Sequence, residues 1–175
     1  MKHLWQKIGA LLDLAGIFFS SVHSGTMASM QGCIRRRFPG VRQLTTQRLA
    51  EWLEDDRISP RPLLVDARPE REFAVSHLRG AHRFISVGQI RKQLSDVTQP
   101  VVVYCSVGYR SSAVAEKLQQ AGLANVWNLD GSLFLWVNEG RPVYRGTERL
   151  SPARVHPYNR KWAQLLKPEH RAVLK

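Results

Sequence analysis

The sequence predicts an α/β protein in which helices cover both faces of a parallel β-sheet. Short apolar runs, of the kind seen in buried parallel strands, alternate with stretches whose apolar residues recur every three or four positions. Short loops separate these segments, which is the pattern of repeated β-α-β units. The clearest strand-like runs are residues 63–65, Val101–Tyr104 and Val126–Leu129.

The helices are predicted from apolar periodicity and from residues that suit helix ends. Thr45 or Thr46 is suited to cap the first helix of the domain. Ser111 and Ser112 are suited to cap the helix after the strongest strand, and Gly122 ends that helix. Further helices are predicted over residues 69–75, 87–94 and 133–138, and a further strand over residues 81–85.

The length of 175 residues, 43% of them apolar, suits one domain of ordinary size with tails. Residues 25–40 contain many small, polar and basic residues and include Pro39, so they are predicted to be a linker. We therefore divide the chain into residues 1–40, an apolar segment followed by a basic linker, a domain over residues 41–146, and a basic extension over residues 147–175. Both extensions are expected to be flexible or helical.

The net charge of +12 is concentrated in the two ends of the chain. Residues 1–40 hold five basic residues and one acidic residue, and residues 151–175 hold six and one, so residues 41–150 carry only +3. Such ends can dock on RNA, a membrane or an acidic protein, or can simply be solvated. We favour solvated extensions, and do not expect nucleic-acid binding, because neither a stacking motif of interleaved aromatic residues nor a repeated basic helix accompanies the charges.

The first 24 residues allow three interpretations. Lys2 and Lys7 precede an apolar stretch over residues 8–19, which resembles the core of a secretory signal, although Asp13 interrupts it. Its apolar residues also have helical spacing, so residues 1–20 could form an amphipathic helix on the domain or on a membrane. The third interpretation is that translation naturally starts at a later methionine, Met27 or Met30. A cytoplasmic protein is expected, or a membrane-associated or exported one if residues 1–24 act as an anchor or signal.

Two cysteines, Cys33 and Cys105, exclude a disulfide framework and a CxxC pair. The six histidines are scattered and fit no standard zinc spacing, so neither a metal site nor a cofactor is predicted. A single reactive thiol is most simply accommodated in a reducing compartment.

Cys105 is the candidate nucleophile because it lies where a predicted strand meets a predicted helix. Ligands gather at such positions in parallel α/β sheets, and the positive end of a helix stabilises a thiolate. Gly108 permits a tight turn, and Arg110 supplies a cation that can hold an oxyanion or a persulfide. The pKa of Cys105 is therefore expected to lie below that of a free thiol. The remaining loop residues are Ser106, Val107, Tyr109 and Ser111.

Three groups of residues stand in a fixed order along the chain. The first is Asp66, Ala67, Arg68, Glu72, His77, Gly80 and Ala81; the second is Tyr104 to Ser111; the third is Gly122, Asn125, Val126, Leu129, Gly131, Trp136, Gly140 and Pro142. Over residues 43–145 they resemble the rhodanese domain family. The resemblance implies a five-stranded parallel sheet flanked by helices and sulfur transfer through a persulfide on Cys105.

The resemblance also carries expectations about roles and partners. Asp66, Arg68, Glu72 and His77 are expected to form a structural network that ties a strand end to the following loop. Thiosulfate or a persulfide is the expected donor, and a protein, thiol or cyanide the acceptor. Ser76 and Ser132 depart from the family, which commonly has glycine there. No strongly basic residue follows Cys105 directly. Thiosulfate and a persulfide are therefore equally plausible as the donor.

Two other functions compete with sulfur transfer. Cysteine phosphatases and arsenate reductases also place Cys and Arg in a loop between strand and helix, but usually with five intervening residues, whereas four separate Cys105 from Arg110. A docking or persulfide-carrier module of the same fold is the second alternative, and copies used only for docking typically lose the cysteine. Cys33 lies outside the resembling segment and is expected to be dispensable, as are residues 1–40 for folding of the domain.

Overall fold

The computed structural model describes residues 26–57 and 59–173, and at its centre lies a five-stranded parallel sheet. The strands are β1 (Arg42–Leu44), β2 (Leu63–Asp66), β3 (His82–Arg83), β4 (Val101–Tyr104) and β5 (Val126–Leu129). Their order is β1-β5-β4-β2-β3, and every neighbouring pair is parallel. The predicted α/β class and the five-stranded parallel sheet flanked by helices are confirmed.

The helices alternate with these strands along the chain. They are α1 (Met27–Arg37), α2 (Thr46–Glu54), α3 (Glu70–Phe73), α4 (Val87–Gln93), α5 (Tyr109–Gln120) and α6 (Ser132–Asn138). A short antiparallel ribbon, β6 (Tyr144–Arg145) and β7 (Glu148–Arg149), follows, and then two 3-10 turns at Trp162–Leu165 and Pro168–His170. Within the described residues, no helix is long and apolar enough to cross a membrane.

The central strand β4 is buried along its whole length, and strands β2 and β5 pair with its two edges. It is an uninterrupted run of three valines and Tyr104, as expected for a parallel strand covered on both faces. Cys105 follows immediately and is itself buried, so the sheet fixes where the nucleophile candidate lies.

Most predicted ends lie within two residues of the observed ones, but α5 differs in an instructive way. Thr45 caps α2 as predicted, accepting a hydrogen bond from the Arg48 amide at 3.1 Å. The prediction that Ser111 or Ser112 caps α5 is wrong, because that helix already begins at Tyr109 and its N-cap is Gly108. The helix therefore starts closer to Cys105 than expected, and Ser111 lies in its first turn.

The predicted linker is also wrong, since residues 27–37 form helix α1. Thr26 caps this helix by accepting a hydrogen bond from the Ser29 amide at 3.2 Å. Met30, Ile34 and, just after the helix, Phe38 are buried in the main hydrophobic cluster. Composition suggested a linker because the helix is basic and poor in apolar residues, yet those few residues are spaced four apart on one face. The expectation that residues 1–40 are dispensable for folding loses its basis.

The C-terminal extension is not simply solvated. Val155 and Leu166 are buried in the same hydrophobic cluster as the sheet. The side-chain amide of Asn138, at the end of α6, binds this segment through two hydrogen bonds. Its nitrogen donates to the Leu165 carbonyl at 2.8 Å, and its oxygen accepts from the Lys167 amide at 2.9 Å. Arg154, Arg160, Lys161 and Lys167 are exposed while Val155 and Leu166 pack inward, so charge alone gave a misleading picture. The predicted amphipathic segment over residues 1–20 lies outside the described residues.

Candidate active site

The Cys105 loop, residues 105–111, turns around the sulfur of its own first residue. Sγ of Cys105 accepts hydrogen bonds from the Gly108 amide at 3.2 Å and from the Ser111 hydroxyl at 3.4 Å. Gly108 has φ +113°, and a Cβ there would lie 3.3 Å from Cδ1 of Ile34 and 3.4 Å from Nδ2 of Asn128. Glycine is therefore required for two reasons, the backbone conformation and the lack of space.

Helix α6 fixes the carbonyl side of the loop. The amide of Leu133 donates to the Cys105 carbonyl at 3.1 Å, and that of Phe134 donates to the Ser106 carbonyl at 2.9 Å. The Ser132 hydroxyl accepts from the Cys105 amide at 3.0 Å and donates to the Leu129 carbonyl at 3.1 Å. Amides at the start of a helix have no partner within it, so α6 satisfies them by binding the loop.

Arg110 forms a buried ion pair with Glu72 of α3. Nη1 and Nη2 of Arg110 donate to the two carboxylate oxygens of Glu72, each at 2.7 Å. Nη2 also donates to the Ser106 hydroxyl at 2.8 Å, and that hydroxyl donates to Glu72 at 3.2 Å. Sequence reasoning assigned Arg110 to a bound oxyanion or persulfide and grouped Glu72 with Asp66 and Arg68, whereas the structure joins the two residues to each other.

The electrostatic environment favours the thiolate of Cys105. Burial is the largest influence and raises the pKa, since only 1% of the residue is exposed. The charge of Arg110 and the hydrogen bonds from Ser111 and Gly108 outweigh it, so that the pKa of Cys105 lies below its ordinary value. Arg110 thus acts on the sulfur through its charge, although its hydrogen bonds go to Glu72 and Ser106.

Asp66 and Arg68 form a second buried ion pair next to the loop. Nη2 of Arg68 donates to Asp66 at 2.7 Å and to the Ser76 carbonyl at 2.6 Å. The Arg68 guanidinium also lies 5.9 Å from the centre of the Tyr104 ring. The end of β2 is thereby tied to the segment after α3.

Both ring nitrogens of His77 are engaged by backbone groups. Its Nε2 accepts from the Gly146 amide at 3.0 Å, which leaves Nδ1 to donate to the Leu78 carbonyl at 2.9 Å. The ring stacks on Phe73 with centroids 4.2 Å apart. These contacts, with the backbone hydrogen bonds between His77 and Tyr144, hold the β6 ribbon against the domain.

The remaining loop residues contribute shape. Val107 is buried, and the half-buried Tyr109 packs its ring edge-to-face on Phe38 at 5.3 Å. Sequence reasoning missed Ser132, which it noted only as a departure from glycine, and Tyr158, whose ring lies over Arg110 at 5.2 Å. The signal for Ser132 was present, because a hydroxyl in place of glycine at the start of a helix can bind a neighbouring backbone.

Comparison with known proteins identifies the family. The sequence model of the rhodanese-like domain matches residues 45–139, which is more than half of the chain. The chain belongs to the rhodanese-like domain family. The matched segment contains strands β2 to β5 and the Cys105 loop, whereas β1 (Arg42–Leu44) lies just before it. Helix α1 and the chain after residue 139 lie outside it.

Named relatives of this rhodanese-like chain include two bacterial enzymes. The thiosulfate sulfurtransferase GlpE of Haemophilus influenzae is 29% identical over 103 residues, covering 58% of this chain and 93% of that protein. A sulfurtransferase of Allochromatium vinosum is 30% identical over 105 residues, covering 59% and 94%. The structure of a thiosulfate sulfurtransferase from Pseudomonas aeruginosa has a TM-score of 0.58 at 20% identity, over 79% of this chain and 26% of that one, and this likeness shows the fold alone.

Proposed function

We propose that this protein is a sulfurtransferase that carries sulfane sulfur as a persulfide on Cys105. The single observation that carries the proposal is the thiol itself, whose pKa is lowered and whose Sγ accepts hydrogen bonds from Gly108 and Ser111. A thiolate is the nucleophile that sulfane sulfur requires, and an amide cradle suits the terminal sulfur of a persulfide. The names of the Haemophilus and Allochromatium relatives support the same reaction class.

The reaction proceeds in two displacements at sulfur. The Cys105 thiolate attacks the outer sulfur of the donor, the donor S–S bond breaks, and sulfite leaves from thiosulfate or a thiolate leaves from an alkyl persulfide. The acceptor, which is a thiolate or cyanide, then attacks the outer sulfur of the Cys105 persulfide and regenerates the Cys105 thiolate. Neither step needs a general base, because the attacking group is already ionised.

The same loop argues against phosphoryl chemistry. Four residues separate Cys105 from Arg110, and the Arg110 guanidinium donates to Glu72 and Ser106. A tetrahedral phosphoryl group needs a wider cradle and free donors for its oxygens. Phosphatase activity is therefore expected to be absent or trace, and robust Cys105-dependent turnover of an aryl phosphate would contradict the proposal.

The test is sulfur transfer from thiosulfate, or from glutathione persulfide, to cyanide or a thiol. Cys105→Ser should abolish the transfer, whereas Cys33→Ser should retain most of it, since Cys33 lies on α1 outside the loop. Equal transfer by Cys105→Ser would overturn the proposal. If Cys33→Ser lost activity just as completely, a relay between two thiols would replace it. A folded protein that binds a persulfide-bearing partner but never turns over would instead be a docking or carrier module.

A further inference from the structure

The C-terminal extension reaches the Cys105 loop from outside the matched family segment. The ring of Tyr158 lies over the Arg110 guanidinium, with the guanidinium carbon 5.2 Å from the ring centroid. Arg110 is buried and Tyr158 is half-buried, so the ring stands between this guanidinium and solvent. An extension that sequence reasoning treated as solvated therefore covers a cation whose charge lowers the pKa of the thiol.

The chain around Tyr158 holds the ring in this place. Tyr158 has φ +65°, an unusual conformation for a residue with a side chain, and its amide donates to Nδ1 of His156 at 3.0 Å. Its ring meets Trp162 edge-to-face at 6.5 Å. Val155, three residues earlier, is buried and bridges to Arg171. Backbone strain of this kind persists only where the surroundings determine it, so the position of the ring is a built feature.

With the ring in place, Arg110 offers little to an incoming anion. Glu72 offsets part of its charge through two hydrogen bonds, Ser106 accepts a third, and the electron-rich face of Tyr158 covers the guanidinium plane. A small dianion that approaches Cys105 therefore meets a partly compensated charge behind an aromatic ring. An alkyl persulfide carries at most one negative charge on its two sulfur atoms, so this arrangement disfavours it less than a dianion.

We propose that Tyr158 is a specificity-determining residue of the Cys105 site, which screens Arg110 and so favours alkyl persulfides over small dianions such as thiosulfate. The part of Tyr158 in donor choice rests on the proposed sulfur transfer at Cys105. The screening of Arg110 does not, because any reagent that attacks the thiol experiences it.

Two alkylating reagents of similar size and different charge test this screening directly. Rates of Cys105 alkylation by iodoacetate, an anion, and by neutral iodoacetamide are measured at one pH on Cys33→Ser protein. Both reagents need the thiolate, so their rate ratio cancels the ionised fraction. Tyr158→Gly removes the ring and accepts the positive φ, and it should raise the iodoacetate to iodoacetamide ratio about fivefold.

Matched variants separate screening from other effects. Tyr158→Phe keeps the ring and should leave the ratio unchanged, as should Tyr144→Leu, which removes a ring that lies under Arg79 instead of Arg110. Tyr158→Asn, whose side chain also tolerates positive φ, is the second ring-removing variant. An unchanged ratio in the ring-removing variants, or equal acceleration of both reagents, would overturn the proposal. So would loss of the folded state in both variants, which would make Tyr158 structural.

The donor preference is read separately. In protein that accepts sulfur, Tyr158→Gly should raise the rate of loading from thiosulfate relative to glutathione persulfide, again about fivefold. If no donor loads the parent protein while the alkylation ratio shifts as expected, the proposed sulfur transfer fails and the screening of Arg110 stands. If the parent loads sulfur and neither the alkylation ratio nor the donor ratio changes in Tyr158→Gly, the proposed sulfur transfer stands and the screening of Arg110 by Tyr158 fails.

Discussion

Glu72 and Arg110 are joined by two hydrogen bonds of 2.7 Å, and this buried pair connects α3 to the first turn of α5. The Cys105 loop is therefore held by an acidic residue from a separate helix, in addition to its own backbone. Arg110 supplies the charge that lowers the pKa of Cys105, while Glu72 fixes the place of that charge and offsets part of it.

Glu72→Gln is predicted to destabilise the protein and to acidify Cys105 further. The variant leaves the Arg110 charge buried without its partner, which should lower the free energy of unfolding by roughly 3 kcal/mol or more. The uncompensated cation should also lower the pKa of Cys105 below its value in the parent. Glu70→Gln on the same helix is the control, because the Glu70 side chain is largely exposed and pairs with Arg83 at the surface. Equal effects from both variants would contradict this role of Glu72.

The same pair predicts a pH dependence of stability. Burial raises the pKa of Glu72, but the hydrogen bonds and charge of Arg110 outweigh it and leave the pKa below its ordinary value. The Glu72 carboxylate therefore contributes its full stabilisation above the ordinary glutamate pKa of about 4.3. This contribution is lost as the pH falls through the lower pKa that Glu72 has in the folded protein. The difference in unfolding free energy between parent and Glu72→Gln should shrink in that acid range. An increase of this difference in unfolding free energy at acid pH would contradict the lowered pKa of Glu72.

Arg110→Met is predicted to raise the pKa of Cys105. The substitution removes the main charge that opposes burial of the thiolate, and it leaves the buried Glu72 carboxyl nearby without a partner. The pH dependence of alkylation by iodoacetamide, measured on Cys33→Ser protein, reports the midpoint. Arg35→Met is the control, since Arg35 pairs with Asp130 and is largely exposed. A midpoint that stayed in place in Arg110→Met would mean that Arg110 does not activate the thiol.

Gly108→Ala is predicted to disrupt the loop and with it sulfur transfer. The added Cβ would meet Ile34 and Asn128 at 3.3–3.4 Å in a backbone conformation that alanine rarely adopts. Gly80→Ala is a matched control, because Gly80 also has positive φ (+69°) but a Cβ there would meet nothing within 4 Å. We expect Gly80→Ala to cost about 1 kcal/mol and keep activity. Activity of Gly108→Ala close to that of Gly80→Ala would contradict the role of this glycine.

Ile34→Ala is predicted to destabilise the fold, because α1 is part of the core. Ile34 is 1% exposed and its side chain lies beside Gly108, so the cavity should cost roughly 2–4 kcal/mol. Ile85→Ala makes the same chemical change at a residue that is 39% exposed and should cost far less. Chemical denaturation with a common slope gives both values. If Ile34→Ala lowered the free energy of unfolding as little as Ile85→Ala, the interpretation of residues 25–40 as a linker would be restored.

The sheet was predictable because its signals are local. Residues 101–104 are apolar without interruption, and the next residues turn polar, which locates a buried strand and the loop after it. The pairing of Glu72 with Arg110 was not predictable from the residues alone, since they lie 38 positions apart and each had other candidate partners. Long-range pairs of this kind depend on the tertiary arrangement.

The predictions for the two ends of the chain were wrong because the few buried apolar residues stand among many basic ones. In α1 the buried residues are only Met30 and Ile34, four apart among basic and small residues. In the C-terminal extension the buried Val155 and Leu166 are eleven residues apart, too far for any periodic pattern to reveal them. Tyr158 drew no attention for the same reason, although its ring contacts the charge that matters most for the thiol.

The most direct test of the account is the intact mass of the protein after exposure to thiosulfate or glutathione persulfide. A persulfide on Cys105 adds one sulfur atom, about 32 Da, which a thiol reductant should remove. We predict this addition in the parent and in Cys33→Ser, and its absence in Cys105→Ser. The same gain of mass in Cys105→Ser, or no gain in a folded parent with either donor, would contradict the assignment of Cys105 as the sulfur carrier.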